Sequence, residues 1–362
     1  MTAHEAINIA ILGTGGVGSA FMRQLQQFQA LHRLHVVLIA RSTASVHSPD
    51  YAPIDLSNWE AALTQGPISV SQILDYLRKS PAPTILVDNT SSDDVAAAYP
   101  LFLAQRIHIA TPNKRAFSSD IGLYQQILGA SVTSGARAYH ESTVGAGLPV
   151  ISTLKDLLIT GDRVHKIEGV FSGTLSFIFN NLSPAGSRGT QAFSDVVGLA
   201  KGKGYTEPDP REDLNGQDVA RKLTILARLS GLPVTSPTSF PVHSLIPKPL
   251  EGAKSVDEFM SGLKDFDAQM DKVRKDAEAT GSVLRYVGEL DVINKKVEVK
   301  LATYPASHPF ATLQASDNII LFHTARYSER PLVIQGAGAG AEVTAMGVLA
   351  DVARITERVV GI

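Results

Sequence analysis

Ile9-Ala10-Ile11-Leu12-Gly13-Thr14-Gly15-Gly16-Val17-Gly18 is the stretch that decides the fold. An apolar run ends in the pattern G-x-G-x-x-G, and apolar residues then recur at helical spacing over Val17–Leu31. Strand, glycine turn and helix, in that order, are the context that gives the pattern meaning. Gly13 permits a tight turn, Gly15 lets backbone approach a pyrophosphate, and Gly18 lets the helix pack close to the strand. At Gly16 and Val17 the helix opens, where free N–H groups and the dipole favour an anion.

Outward from that loop, strand-like runs follow at His35–Ala40, Thr84–Asp88, Ile107–Ala110 and Ala136–His140. They alternate with helical stretches, the mark of a parallel sheet covered on both faces. The class is α/β, with an N-terminal Rossmann nucleotide-binding domain over residues 1–150. The second strand ends at Arg41-Ser42, where NAD-selective proteins usually carry an acid. A guanidinium there can pair with a 2′-phosphate, which favours NADP(H) beside NAD(H). Thr90 and Lys114 follow the next two strands, at the carboxyl ends where such sheets bind ligands. A solvated loop lysine is the other reading of Lys114.

Bulk composition narrows the function classes. The chain has 362 residues, enough for about two domains. Its 33 basic and 35 acidic residues leave no surplus to attract nucleic acid or an anionic membrane. It has no cysteine, which excludes disulfides, thiolate metal sites and aldehyde oxidation through a thiohemiacetal. No apolar stretch of about 18 residues is present, and no charged leader precedes the first strand. A cytoplasmic protein is the expectation.

The second half reads differently. Leu148–Thr160 and Gln217–Ser230 are helical, Lys166–Ser172 is a strand, and Pro233–Pro249, with five prolines, is a connector. Ser255–Gly281 reads as one charged amphipathic helical stretch, and Arg285–Tyr304 as antiparallel strands. A Gly-Ala loop, Gln335–Gly340, opens a last helix, Glu342–Val359. Trp59 and the methionines read as packing residues.

Within Gln217–Ser230, Asp218 and Lys222 stand four apart and share a face. At about 100° per residue, Val219, Ala220, Leu223, Leu226 and Ala227 form the apolar stripe, and Arg221 and Arg228 fall on the far side. The pair lies at the stripe's edge. An amine beside a carboxylate at an apolar border suits proton transfer to a carbonyl oxygen. A structural ion pair is the equal alternative. Glu141 begins a Gly-rich turn into a helix; one carboxylate followed by turning carbonyls could hold a hard monovalent cation, or be a capped turn. The ten histidines show no metal-ligand spacing.

These residues resemble one family. Gly13-Thr-Gly-Gly-Val-Gly18, Thr111-Pro-Asn-Lys114, Glu141-Ser-Thr-Val-Gly-Ala-Gly-Leu-Pro149, Phe171-Ser-Gly-Thr174, Gly204-Tyr-Thr-Glu-Pro-Asp-Pro210 and Asp213-Leu-Asn-Gly-Gln-Asp-Val-Ala-Arg-Lys222 are similar to homoserine dehydrogenase over nearly the whole chain. Length and ending resemble the short fungal form, without a regulatory ACT domain. The resemblance implies NAD(P)H-dependent interconversion of L-aspartate 4-semialdehyde and L-homoserine. Lys222 would exchange the proton and Asp218 would orient it, with Lys114 as a rival acid at the cofactor. Glu207 and Asp213 would hold the substrate ammonium, and Gly173 and Thr174 would line its pocket. Gly338 would meet the cofactor. A structural Na+ would sit on the Glu141 side chain and the carbonyls of Val144, Ala146 and Leu148. The resemblance also implies a homodimer, formed through strands around 285–335. The α+β catalytic and dimerisation domain would span 151–335, with 336–362 returning to complete the Rossmann domain. A related dehydrogenase with another substrate would share the glycine loop but not the Glu207-to-Lys222 segment, and a non-catalytic dinucleotide sensor or dimeric scaffold would bind NADPH but tolerate loss of Lys222 and Asp218.

Overall fold

In the computed structural model, residues 6–360 are described. The chain divides into two compact units, Met1–Ile151 with Ala339–Ile362, and Ser152–Gly338. The first unit holds a six-stranded sheet in the order β3-β2-β1-β4-β5-β6. Its strands are β1 (Ile7–Leu12), β2 (Leu34–Arg41), β3 (Ala44–His47), β4 (Thr84–Asp88), β5 (Ile107–Ala110) and β6 (Ala138–Tyr139). All neighbours pair parallel except β2 with β3, a short antiparallel edge. β1 is buried along its whole length, as a central strand covered on both faces must be.

Helix α1 (Gly16–His32) carries β1 across to β2. Ile7, Ile9 and Ile11 of β1, Phe21, Met22 and Leu25 of α1, and Val348, Val352 and Ile355 of the last helix form one core. Trp59 packs against that core. Met346, by contrast, is half-exposed, with its methyl end lying over Gly147. The fifth expected strand shrinks to two residues, Ala138–Tyr139, because only Ile109 and Ala110 face it across the ladder.

The second unit is built on an antiparallel sheet of five strands in the order β11-β10-β7-β8-β9. They are β7 (Val164–Val170), β8 (Ser282–Asp291), β9 (Lys296–Pro305), β10 (Asp317–Thr324) and β11 (Leu332–Ala337). Helices α2 (Gly173–Leu182), α3 (Gln217–Leu229) and α4 (Asp267–Ala279) belong to this unit. Leu223 of α3 lies so close to β8 that a side chain at Gly288 would come within 2.9 Å of it. Arg285 is buried, and its guanidinium donates to the carbonyls of Phe310, Phe179, Ser183, Leu284 and Ala311 at 2.7–3.3 Å. Burial lowers its pKa to about 10, so it stays charged at neutral pH.

Ser255–Gly281 is not one helix. Val256–Leu263 and α4 are separated by a tight turn at Lys264–Phe266, where Phe266 leaves helical geometry with ψ at 0°. The Gly-Ala segment is also not loop from its start. Gln335, Gly336 and Ala337 pair with Ile319, Asn318 and Asp317, since a ladder bonds backbone and asks little of the side chains. Among the described residues no helix is long and apolar enough to cross a membrane.

Candidate active site

The glycine loop closes β1 in the first unit. Gly13 has φ +84°, and a Cβ there would come 2.8 Å from the Asn89 carbonyl oxygen. At Gly18 a Cβ would come 2.0 Å from the Gly13 carbonyl oxygen. The protein itself therefore requires glycine at both places. Gly15 differs: a Cβ there would meet nothing within 4 Å. No contact within the chain requires glycine at Gly15, which faces open space before α1, where Gly16 is exposed and Val17 packs against the core.

Beside the loop, buried Asp88 organises the ends of β4 and β5. Its carboxylate accepts from the Thr90 amide (2.8 Å) and hydroxyl (2.6 Å), the Tyr99 hydroxyl (2.6 Å) and the Asn113 amide (3.1 Å). Burial raises its pKa against the pull of these bonds. Thr90 is thus held in place by a residue that the sequence reading passed over as the end of a strand. Asn89, which the sequence places with Thr90 at the ligand-binding end of this strand, keeps its side-chain N and O enclosed with no partner among the described residues. Such an amide is uncommon and calls for a partner. Lys114 is half-buried and precedes the short helix Arg115–Ser118. Arg41 ends β2, exposed.

Glu141 is buried, and its carboxylate accepts from the Ile151 amide (2.7 Å) and the Arg354 guanidinium (3.1 Å). Asp351 accepts from the Glu141 amide (2.7 Å) and pairs with Arg354 (3.0 Å). Gly145 and Ala146 turn the backbone with φ +79° and +54°. The carbonyl of Leu148 accepts from the Val150 amide at 2.8 Å. Arg354 and Asp351 lie some two hundred residues along the chain, so spacing gave no sign of them.

The second unit gathers carboxylates and an amine. Ser172 caps α2, its hydroxyl accepting from the Leu175 amide, so Gly173 and Thr174 form the first turn. The Thr174 hydroxyl donates to the Tyr205 carbonyl at 2.6 Å. The amide of Glu207, whose side chain is exposed, donates to Asp213 at 2.8 Å. Asp213 is half-buried, and its pKa is raised, by burial first and by the charges of Glu207 and Asp218 in addition. Asp209, in the same acidic run, is taken by Arg211 at 2.6 Å. Gly216 starts α3 with φ +74°, where a Cβ would strike the Tyr286 hydroxyl at 2.1 Å.

Lys222 is buried, and its ammonium donates to Asp218 (2.8 Å) and to the Phe171 carbonyl (2.6 Å). The side chain of Asp218 is 46% exposed. Arg228, assigned to the solvated side of the wheel, is buried instead. Its guanidinium donates to the carbonyls of Val234 and Thr235 in the proline-rich connector, which folds back over it. The sequence reading missed Phe171's carbonyl and the Asn318 amide that reaches the same oxygen at 3.0 Å. A backbone acceptor leaves no trace in residue type. Gly338 stands at the end of this unit, and a Cβ there would lie 2.0 Å from the Asn318 amide nitrogen.

Two family models match, one described as homoserine dehydrogenase over residues 149–353, the other as the homoserine dehydrogenase NAD binding domain over residues 13–141. The chain belongs to the homoserine dehydrogenase family. The homoserine dehydrogenase of Schizosaccharomyces pombe is 54% identical over 361 residues, covering 98% of this chain and 96% of that protein. That of Saccharomyces cerevisiae is 51% identical, covering 98% and 99%. A crystal structure of a protein of unknown function from Candida auris superposes with a TM-score of 0.95 at 50% identity, covering 98% of this chain and 99% of that one. The homoserine dehydrogenase match takes in the whole acidic segment and α3, from Glu207 to Lys222, and the NAD-binding match takes in the glycine loop.

Proposed function

We infer that the residues above divide between them the reaction of the homoserine dehydrogenase family, the NAD(P)H-dependent interconversion of L-aspartate 4-semialdehyde and L-homoserine on the route to threonine and methionine. The observation that carries the reading is the buried Lys222 ammonium held by Asp218 and a backbone carbonyl. The cofactor, when bound, supplies or accepts the hydride.

Lys222 donates a proton to the oxygen that becomes the hydroxyl on reduction, and takes it back on oxidation. A nearby ammonium also stabilises the negative charge that develops on that oxygen. Asp218 orients the amine. Asp213 and Glu207 receive the substrate's ammonium. The raised pKa of Asp213, set first by burial and then by the charges of Glu207 and Asp218, supports this role, because a bound cation favours the ionised carboxylate against both. Gly173 and Thr174 line the pocket through α2's first turn.

Gly13, Gly15, Gly16, Val17 and Gly18 take the pyrophosphate, and Thr90 and Lys114 line the nicotinamide side. The enclosed, unpartnered Asn89 amide supports a polar ligand group at the same place. Arg41 meets a 2′-phosphate. Arg41→Ala should therefore weaken NADPH binding more than NADH binding in a fluorescence titration; a uniform effect would remove it from that role.

The Glu141 turn fits a weakly held monovalent ion only. Arg354 is shared between the Glu141 and Asp351 carboxylates, and the carbonyls of Val144, Ala146 and Leu148 would be the further donors. A Na+ there would be structural and would take no part in the chemistry. By the same reading the enzyme is a cytoplasmic homodimer, with catalysis and dimerisation assigned to the second unit.

The test is absorbance at 340 nm with purified protein, L-homoserine and NADP+ or NAD+. A rise that requires homoserine is expected, and its size ranks the cofactors. No rise with either, while NADPH still binds, would point to another substrate or to a sensor.

A further inference from the structure

Lysine carries its charge on a flexible four-carbon stem, so its acceptors decide where Nζ rests. Of the two acceptors described for Lys222, the half-exposed Asp218 side chain can move. The Phe171 carbonyl cannot move so freely: Phe171 is fully buried, directly after β7. The direction of its oxygen is set by what else binds it, and that is Asn318. The Asn318 amide donates to this oxygen at 3.0 Å from β10, the strand paired with β7.

Asn318 is an expensive residue in this place. It is fully buried, and its own carbonyl oxygen has no partner among the described residues. An apolar side chain of the same volume would cost the core less. Gly338 adds a second constraint. A Cβ there would fall 2.0 Å from the amide nitrogen and 2.1 Å from its Cγ, so only glycine leaves the amide its place. Both features converge on the oxygen that holds the amine.

We propose that Asn318 is a positioning residue: through the Phe171 carbonyl it fixes where Lys222 presents its transferable proton, and Gly338 is glycine to make room for that amide. The inference rests on Lys222 as the group that moves the proton. It also gives Gly338 a reason that does not involve the cofactor.

Steady-state kinetics on the full chain test it, with Asn318→Ala, the volume-keeping Asn318→Leu, and Gly338→Ala, each checked by thermal melting. A displacement of order 1 Å at the reacting group costs up to about a hundredfold in rate, so kcat for homoserine oxidation should fall about ten- to a hundredfold in all three. The KM for cofactor should stay near that of the parent, and the solvent isotope effect on kcat should rise as proton transfer becomes limiting. Folded Asn318 variants with kcat within about twofold of the parent would overturn the proposal. So would a Gly338→Ala defect confined to the cofactor KM. Lys222→Ala serves as the control. If it turns over at the parental rate, the reading of Lys222 fails. If it is inactive while the Asn318 variants are normal, only the role of Asn318 fails.

Discussion

Helices α3 and α4 each carry an aspartate four residues before a lysine, and each pair closes to a similar distance, 2.8 Å for Asp218–Lys222 and 2.7 Å for Asp271–Lys275. By spacing and order the two are the same motif. Their surroundings are opposite. The Lys222 side chain is 9% exposed, the Lys275 side chain 66%. Lys222 has a buried backbone carbonyl as a further acceptor, whereas Asp271 is shared with Arg274 along its own helix. Hydrogen bonds from Lys275 and then Arg274 lower the pKa of Asp271, which is how a solvated ion pair behaves. Helix geometry makes a lysine–carboxylate pair cheap to form, and burial of the amine is what sets the Lys222 pair apart and underlies the proton-transfer role proposed for it.

A third lysine pair sharpens the contrast, because there the acid is buried. Glu168 is 7% exposed in its pair with Lys166 at 2.9 Å, and His323 lies 2.8 Å away. Burial alone would raise its pKa, but hydrogen bonds from His323 and Lys166, together with their charges, bring it down to about 2. A carboxyl with a lowered pKa stabilises the fold above its unfolded pKa and loses that contribution as pH falls through the folded value. A shift from 4.5 to about 2 corresponds to about 3 kcal/mol, lost between about pH 4.5 and pH 2. Denaturant unfolding across that range should show the loss in the parent and a much flatter profile in Glu168→Gln. Equal profiles would mean that this pair, too, is only decoration.

A smaller effect is expected at Asp218, which on the proposed mechanism orients the amine and does not exchange the proton. Asp218→Asn should lower kcat about tenfold while leaving NADPH binding intact. An unchanged kcat would leave the Phe171 carbonyl to hold Lys222 by itself. The smallest effect belongs to Lys275. Lys275→Ala should change unfolding free energy by about 0.3 kcal/mol and turnover not at all. A larger change in stability would show that the solvated pair contributes more than its exposure suggests.

The sequence disclosed most where side-chain identity is forced by backbone. Gly13 and Gly18 are required by contacts within the first unit, and strand, loop and helix around them were legible for that reason. The parallel sheet was legible because β1, β2 and β4 are nearly continuous apolar runs. The second unit was less so. Its edge strand β11 runs through Gln335, Gly336 and Ala337, which look like loop, and β10 was expected only within a strand-rich region around 285–335 that the resemblance implied and no local pattern marked. In the site, Lys222, Asp218, Asp213 and Glu207 could be singled out by spacing and resemblance. Arg228 was misplaced because the wheel knows only its own helix, and the Val234 and Thr235 carbonyls come from the connector. Arg354 and Asn318 act through partners far along the chain or through a backbone oxygen, which no local pattern encodes.

The measurement that bears most directly on the account is the turnover of Lys222→Ala beside Lys275→Ala, in one homoserine-dependent assay at 340 nm with NADPH binding followed in parallel. The account predicts that Lys222→Ala loses kcat by about a thousandfold or more while cofactor binding stays near normal, and that Lys275→Ala matches the parent. Equal turnover in the two variants would contradict it and return the buried pair to a structural role.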